Sequence, residues 1–387
     1  MIGIAHIIWN TRPWPKQTML THPELETLLL LSRTPGIRMT AVRLLFEEGK
    51  SPAEVLDWIR SGGNPRWKES LEATEKIFSP EKEIERCENL GIDLIPFTDL
   101  RYPALLKESS DPPFVLYVRG ELIESDQAAV AIVGSRHPSL YGQEQAKRFA
   151  QKLSAWGLTI VSGFARGIDR SAHEGALEIS YGRTVAVLGS GLDVIYPREH
   201  QALYEEIRER GVLISEFALG TQPFAENFPK RNRIIAGLSL GVLVVEAHSR
   251  SGSLITAHLA ADEGRDVFAL PGRVDQLGYG GTHKLIKEGA ALVESPEELF
   301  EAVSSQLWAY VPEEKGSGLE PGETEFLSHF GGRPLSMAQA AQISEGPVSK
   351  TAALLTRLEL KGALRKRLDG RYERVVKTRE TSYTQAD

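Results

Sequence analysis

From Ala128 to about Val303, apolar runs rich in Val, Ile and Leu recur at regular intervals. They fall at Ala128–Gly134, Leu158–Gly163, Thr184–Gly189, Val212–Glu216, Gly241–Glu246, Asp266–Leu270 and Ala291–Glu294. Amphipathic segments of helical period, such as Tyr141–Trp156, Arg198–Glu209 and Leu254–Glu263, separate most of them. Near-continuous apolar strands are what a sheet covered on both faces requires. Strand and helix in alternation predict a doubly wound, Rossmann-like parallel sheet of the α/β class.

The chain on either side reads differently. Residues 23–96 carry short helical patterns. Glu24–Leu31 and Thr40–Glu48 flank Thr34-Pro35-Gly36-Ile37, and Ser51-Pro52 has the form of a capped helix start. Two helices around a Pro-Gly turn resemble a helix-hairpin-helix or SAM-like module. Arg38-Met39 stands where such a hairpin has its second glycine, which favours a plain helical packing domain. Residues 304–322 are a polar linker. Residues 323–377 give three helical segments and a hairpin turned at Asp369-Gly370, the outline of a winged helix. Residues 1–22 and 378–387 read as disordered tails, with Met19 a second possible start.

Composition narrows the classes. At 387 residues the chain exceeds one ordinary core. One cysteine, Cys87, excludes an internal disulfide framework and fits a reducing cytoplasm. No apolar run nears the ~20 residues of a membrane span. The net charge of −7 argues against a uniformly basic coat but leaves room for a local basic groove.

Such a groove has a natural place. All strands of a parallel sheet end on one edge, and ligands bind there. Gly134-Ser135-Arg136, Ser162-Gly163-Phe164-Ala165-Arg166-Gly167, Gly189-Ser190-Gly191 and Ser251-Gly252-Ser253 each follow a strand. Glycine admits close backbone approach, and helix starts favour an anion. One such turn is an ordinary connection, whereas four on one edge point to phosphate. The run Phe228-Pro229-Lys230-Arg231-Asn232-Arg233 precedes the apolar stretch Ile234-Ile235-Ala236-Gly237. Arginine forks phosphates, asparagine reads base edges and an aromatic ring stacks on a base. There is no Gly-x-x-x-x-Gly-Lys-Ser/Thr loop, Gly-x-Ser-x-Gly elbow or dinucleotide fingerprint, so no cofactor is expected. Asp169 and His173 share a helix face, but no third ligand stands near them and no metal is expected.

These same blocks, with Asp193, Tyr196-Pro197, Leu270-Pro271-Gly272 and Lys287-Glu288-Gly289-Ala290, resemble the DNA-processing protein A family, DprA or Smf. The resemblance runs from about Leu25 to Arg374. His200 and His283 stand where the pattern suggests asparagine. It implies an extended Rossmann fold that binds single-stranded DNA without catalysis, as a homodimer. It also implies that the protein loads a RecA-type recombinase onto DNA in place of single-strand-binding protein during natural transformation. The DNA pocket it implies is Gly134, Ser135, Arg136, Ser162, Gly163, Arg166, Phe228, Lys230, Arg231, Asn232 and Arg233, and the rim reading adds Ser251 and Gly252. For the C-terminal segment, rich in Lys and Arg over Ser349–Arg374, contact with duplex DNA and contact with a protein stand equal. Two rivals are a nucleotide-sensing module and a nucleotide N-glycosidase. The second would use Glu246 as its carboxylate beside Gly278-Tyr279-Gly280-Gly281-Thr282.

Overall fold

The computed structural model describes residues 22–310, and 323–374 apart from 324, 325, 328, 331–333, 345–347, 361, 362, 368 and 369. The expected tails lie outside the described residues except for His22, which opens a helix, and of the linker expected at 304–322 only 311–322 lies outside them: residues 304–310 instead continue a helix. By contacts the chain divides into two units, one ending at Ala309 and one beginning at Tyr310.

The first unit opens with five helices: α1 His22–Arg33, α2 Met39–Glu47, α3 Pro52–Arg60, α4 Pro65–Ile77 and α5 Pro80–Leu90. Three of them start on Pro behind a side-chain cap, Ser51, Asn64 or Ser79. Proline lacks the N–H that would be orphaned there, and the cap accepts from one that would.

A nine-stranded sheet follows, built from β1 Asp93–Pro96, β2 Val115–Gly120, β3 Ala129–Val133, β4 Thr159–Ser162, β5 Thr184–Val187, β6 Val212–Ser215, β7 Gly241–Val244, β8 Asp266–Ala269 and β9 Ala291–Leu292. Its order is β1-β2-β6-β5-β4-β3-β7-β8-β9. From β6 to β9 every pair is parallel. The chain runs from β3 outward to β6 and then returns to β7 beside β3, as in a doubly wound fold. The expectation of a wholly parallel sheet holds for seven strands. The other two, β1 and β2, pair antiparallel at one edge.

Helices cover both faces. β2 shows why: Val115 and Tyr117 enter one apolar cluster, while Leu116 and Val118 enter the other. The first cluster also contains Leu28, Val42, Val55 and Leu71, so the amino-terminal helices and one sheet face share a core. The second gathers Ala131, Val161, Val187, Ile214 and Val242 beneath helices from the carboxyl side. Strands β3 to β7 are buried at every position, which accounts for their continuous apolar reading.

A short helix, α6 Ala104–Glu108, lies between β1 and β2; the crossover helices are α7 Leu140–Ala155, α8 Ile168–Leu177, α9 Gln201–Arg210, α10 Asn227–Gly237, α11 Ser253–Asp262 and α12 Gly280–Lys287, and α13 Pro296–Tyr310 follows β9. The α10 boundary corrects one expectation. The basic run does not precede that helix but forms its first turns, with Pro229 in the first turn where its missing N–H costs little. Among the described residues no helix is long and apolar enough to cross a membrane.

In the second unit, α14 Met337–Ile343 starts on a Ser336/Gln339 capping box, α15 Val348–Leu360 follows, and β10 Leu364–Lys366 pairs antiparallel with β11 Tyr372–Arg374. Phe326, Phe330, Ala340, Leu355, Leu358, Leu364 and Tyr372 form its core. The helix expected near Glu323–Phe330 lies partly outside the described residues. In the hairpin, Glu373 pairs with Arg365 and Arg367, which offsets part of the basic excess read there.

His173 on α8 is fully buried against β5. Its Nδ1 lies 2.7 Å from Thr184 Oγ1, whose hydroxyl donates to the Ile160 carbonyl at 2.6 Å. The threonine oxygen is thus left to accept, which places the ring proton on Nδ1. Burial pulls the His173 pKa down from 6.5 to about 3. The unfolded chain therefore binds one proton more than the folded protein as pH falls from about 6.5 toward 3, and stability falls with it. The expected contribution approaches ~1.4 kcal/mol per pH unit at its steepest. Urea titrations of wild type and His173→Gln at pH 7 and 5 check it. The variant's stability falls less over that interval, and equal pH dependence would refute the assignment.

Candidate nucleic-acid interface

The carboxyl ends of β3, β4 and β5 form a shallow pocket. Arg136 comes from the turn after β3, Gly163 to Arg166 from the turn after β4, and Leu188, Gly189, Ser190, Tyr196 and Pro197 from the segment after β5. Phe228 reaches in from the start of α10. The pocket holds about 20 Å³, room for little more than one water molecule, because side chains fill it.

Those side chains form a layered stack. The Arg136 guanidinium lies 5.0 Å from the Phe228 ring centroid. Phe228 and Tyr196 have centroids 6.0 Å apart at 43°, and Arg166 lies 5.9 Å from the Tyr196 ring. Gly189 makes the packing possible: a Cβ there would come within 2.9 Å of Phe228 Cδ1. The β4 turn takes an uncommon path, with Phe164 at φ 57°. Such a backbone persists only where its surroundings hold it. Here they do, because the Phe164 ring is buried edge-on against His200 at 5.2 Å and its carbonyl lies 3.2 Å from His200 Nδ1.

The basic block divides into roles that its sequence conceals. Arg231 is 3% exposed and points inward. Its Nη1 donates to the carbonyls of Gly163 and Val187, and its Nε donates to Asn232 Oδ1 at 3.1 Å. Burial pushes the neighbouring Asp169 carboxyl up and lowers Arg231 to about 10, while each charge opposes the other's shift. Asn232 is also buried, and its amide donates to the Gly252 carbonyl at 3.4 Å. Arg233 meets Glu216, and its Nε lies 3.3 Å from Asp111. Burial raises the Glu216 carboxyl, and Arg233 opposes that shift. Among the cations of the block, Lys230 alone is exposed with no acidic partner among the described residues.

The other expected positions sort as follows. Arg136, Gly163, Arg166 and Phe228 line the pocket. Arg166 is paired with Glu199, both exposed, whereas Arg136 has no ion-pair partner among the described residues. Gly134 and Ser135 lie beneath, where Ser135 N–H donates to the Glu246 carbonyl at 2.7 Å. Ser162 is fully buried and donates to the Ile132 carbonyl at 2.6 Å. Ser251 and Gly252 belong to the neighbouring turn before α11 and do not line the pocket. Tyr196 was not among the expected site residues. An aromatic before proline, just past a glycine turn on the ligand-binding edge, was the available signal.

Two rival features acquire structural roles. Glu246 is 3% exposed and accepts from Ser139 N–H at 3.0 and 3.1 Å and from Ser139 Oγ at 2.6 Å, which anchors the start of α7. Asp169 and His173 do not converge: the first accepts from Ala165 N–H at 3.3 Å, and the second faces Thr184.

Arg231→Ala would leave a buried carboxylate and two carbonyls without their partner, a loss of about 3–5 kcal/mol in folding stability. Lys230→Ala, one residue earlier, is expected within about 0.5 kcal/mol of wild type. Denaturant midpoints of the two variants measure the contrast, and equal losses would contradict this division of roles.

Against known proteins, residues 93–304 match the family model described as DNA recombination-mediator protein A. Protein Smf of Escherichia coli K12 is 42% identical over 306 residues, covering 76% of this chain and 82% of its own. DNA processing protein DprA of Streptococcus pneumoniae R6 is 46% identical over 199 residues, 51% of this chain and 70% of its own. The X-ray structure of DprA from Streptococcus pneumoniae superposes with a TM-score of 0.61 at 35% identity, covering 73% of this chain and 98% of that one. The sheet, its loaded rim and these relatives agree, and the chain belongs to the DNA recombination-mediator protein A family.

Proposed function

We propose that the protein binds single-stranded DNA along the carboxyl edge of its sheet and does no chemistry on it. The observation that carries the reading is the Arg136–Phe228–Tyr196–Arg166 stack. Two adjacent rings stand between two guanidinium groups at the edge where this fold takes its ligands. Aromatic faces accept any base, and arginines accept phosphate or stack in turn. Arg136 covers the Phe228 ring but has no acidic partner among the described residues. It can swing to a phosphate and leave the ring face to a base. Lys230 supplies a second free charge nearby.

In this reading the protein is a recombination mediator of the cytoplasm. As a homodimer it protects incoming single strands during natural transformation and loads a RecA-type recombinase where single-strand-binding protein would otherwise sit. The family resemblance supports these roles. The C-terminal unit would contact duplex DNA or a protein partner.

The test is a titration of fluorescent oligo-dT, an equal-length duplex and a mononucleotide at several salt concentrations. Single strands are expected to bind more tightly than duplex. Arg136→Ala and Lys230→Ala should each lower the salt slope by ~0.7, one phosphate contact apiece. Phe228→Ala should weaken binding by ~1–3 kcal/mol, the worth of one stacked base. Oligonucleotide binding no tighter than mononucleotide binding would overturn the proposal and favour a nucleotide-sensing module.

A further inference from the structure

A second concavity lies away from the stack, between the amino-terminal helices and the α10 side of the sheet. It is a groove of about 240 Å³, an order of magnitude roomier than the rim pocket. One wall is the Ser32–Met39 turn between α1 and α2, and the other includes Lys230 and Arg233 from α10. The sequence singled out this turn for its resemblance to a helix-hairpin-helix module, yet the rim site makes no use of it.

The turn is built to present amides. Ile37 N–H donates to the Thr34 carbonyl at 3.1 Å across Pro35 and Gly36, and Gly36 has φ +86°. Proline and then a positive-φ glycine is the signature of a type II turn. The N–H groups of Gly36, Arg38 and Met39 meet no acceptor among the described residues. Successive free amides at a turn and a helix start form an anion-binding nest. The helix start alone would not make a site, but charge supplies an independent reason. Arg33, Arg38, Lys230 and Arg233 line the groove against Asp111 and Glu216. Arg233 engages both acids, and Arg38 shares Asp111 at 3.5 Å. Asp111 Oδ1 also accepts from Thr40 N–H at 3.4 Å. Arg33, whose guanidinium lies 5.7 Å from the Phe78 ring centroid, and Lys230 are exposed and have no acidic partner among the described residues.

We propose that this groove is a second phosphate-binding segment for the same single strand, resting on the function proposed above. A strand stacked on Phe228 leaves the rim across the start of α10. It passes Lys230 and lays its backbone on the free amides of Gly36, Arg38 and Met39 between Arg33 and Arg38. The groove reads no base; it extends the footprint and adds counterion release.

The test uses the full chain with oligo-dT of about 4 and about 16 nucleotides, the range over which single-strand sites vary in size. Salt slopes are compared for wild type, Arg33→Gln/Arg38→Gln and Arg136→Ala. The double variant is expected to bind the short oligomer as wild type does. On the long one its slope should fall by ~1.4, two phosphate contacts on a single strand. A wild-type slope on the long oligomer would overturn the groove and leave the rim reading standing. Arg136→Ala with unchanged binding at both lengths would instead sink the rim. Arg38 braces Asp111, so thermal melting accompanies each titration. If the double variant melts early, Arg33→Gln decides alone, since Arg33 has no ion pair among the described residues to lose. Its slope on the long oligomer should drop by ~0.7, and no drop rejects the proposal.

Discussion

The rim of this sheet hangs on one buried cation. Arg231 leaves the first turns of α10, crosses to the carboxyl ends of β4 and β5, and donates to the carbonyls of Gly163 and Val187 beside the Asp169 carboxylate. A guanidinium out of water is costly unless its donors and charge are answered. Here both are, and the answering groups are the ends of two strands. The pin therefore fixes where α10 starts relative to the sheet edge. Phe228 and Lys230, three residues and one residue earlier on that helix, inherit their positions from it. Were the guanidinium satisfied anywhere else, the Phe228 ring would have no reason to lie on Gly189.

An acidic protein can still offer a basic track if its cations differ in what answers them. Arg231 is buried beside the Asp169 carboxylate, and the part-buried Arg233 is paired with Glu216 and Asp111, so both serve the fold. Arg166 is held by an exposed glutamate, an arrangement worth little in water and easily exchanged for phosphate. Arg136, which rests on the Phe228 ring, and Lys230 have no acidic partner among the described residues, so a phosphate has no carboxylate to displace. Net charge says nothing of this ordering, and burial decides most of it.

Much of the architecture was legible in the sequence because strands buried on both faces must be apolar throughout, and β3 to β7 are. The glycine turns were legible for the same geometric reason, since a parallel sheet sends them all to one edge. The antiparallel pair β1 and β2 was not read as part of the sheet. Residues 104–108 form only a short helix between these strands, so no strand–helix rhythm marks them. The basic block misled more instructively. Pro229 and a run of charge look like a loop, yet proline fits the first turn of a helix. Once α10 includes the run, a period of 3.6 turns Phe228, Arg231, Asn232 and Ile235 toward the protein and leaves Lys230 outside. Composition cannot distinguish an arginine that grips DNA from one that grips the sheet.

The same helical period explains why one short block can serve two concavities. Residues 228 and 230 lie about 200° apart around an α-helix, at 3.6 residues per turn. Phe228 enters the rim pocket, while Lys230 and Arg233 line the groove against the amino-terminal helices. The amino-terminal helices could form that wall only because they share a core with the sheet, through Leu28, Val42 and Tyr117 in one cluster. A tethered domain on a flexible joint would offer the same Pro-Gly turn without holding it at a fixed distance from α10. The packing of α1 to α5 is thus more than stabilising: it converts a turn that is weak evidence in the sequence into one wall of a basic groove.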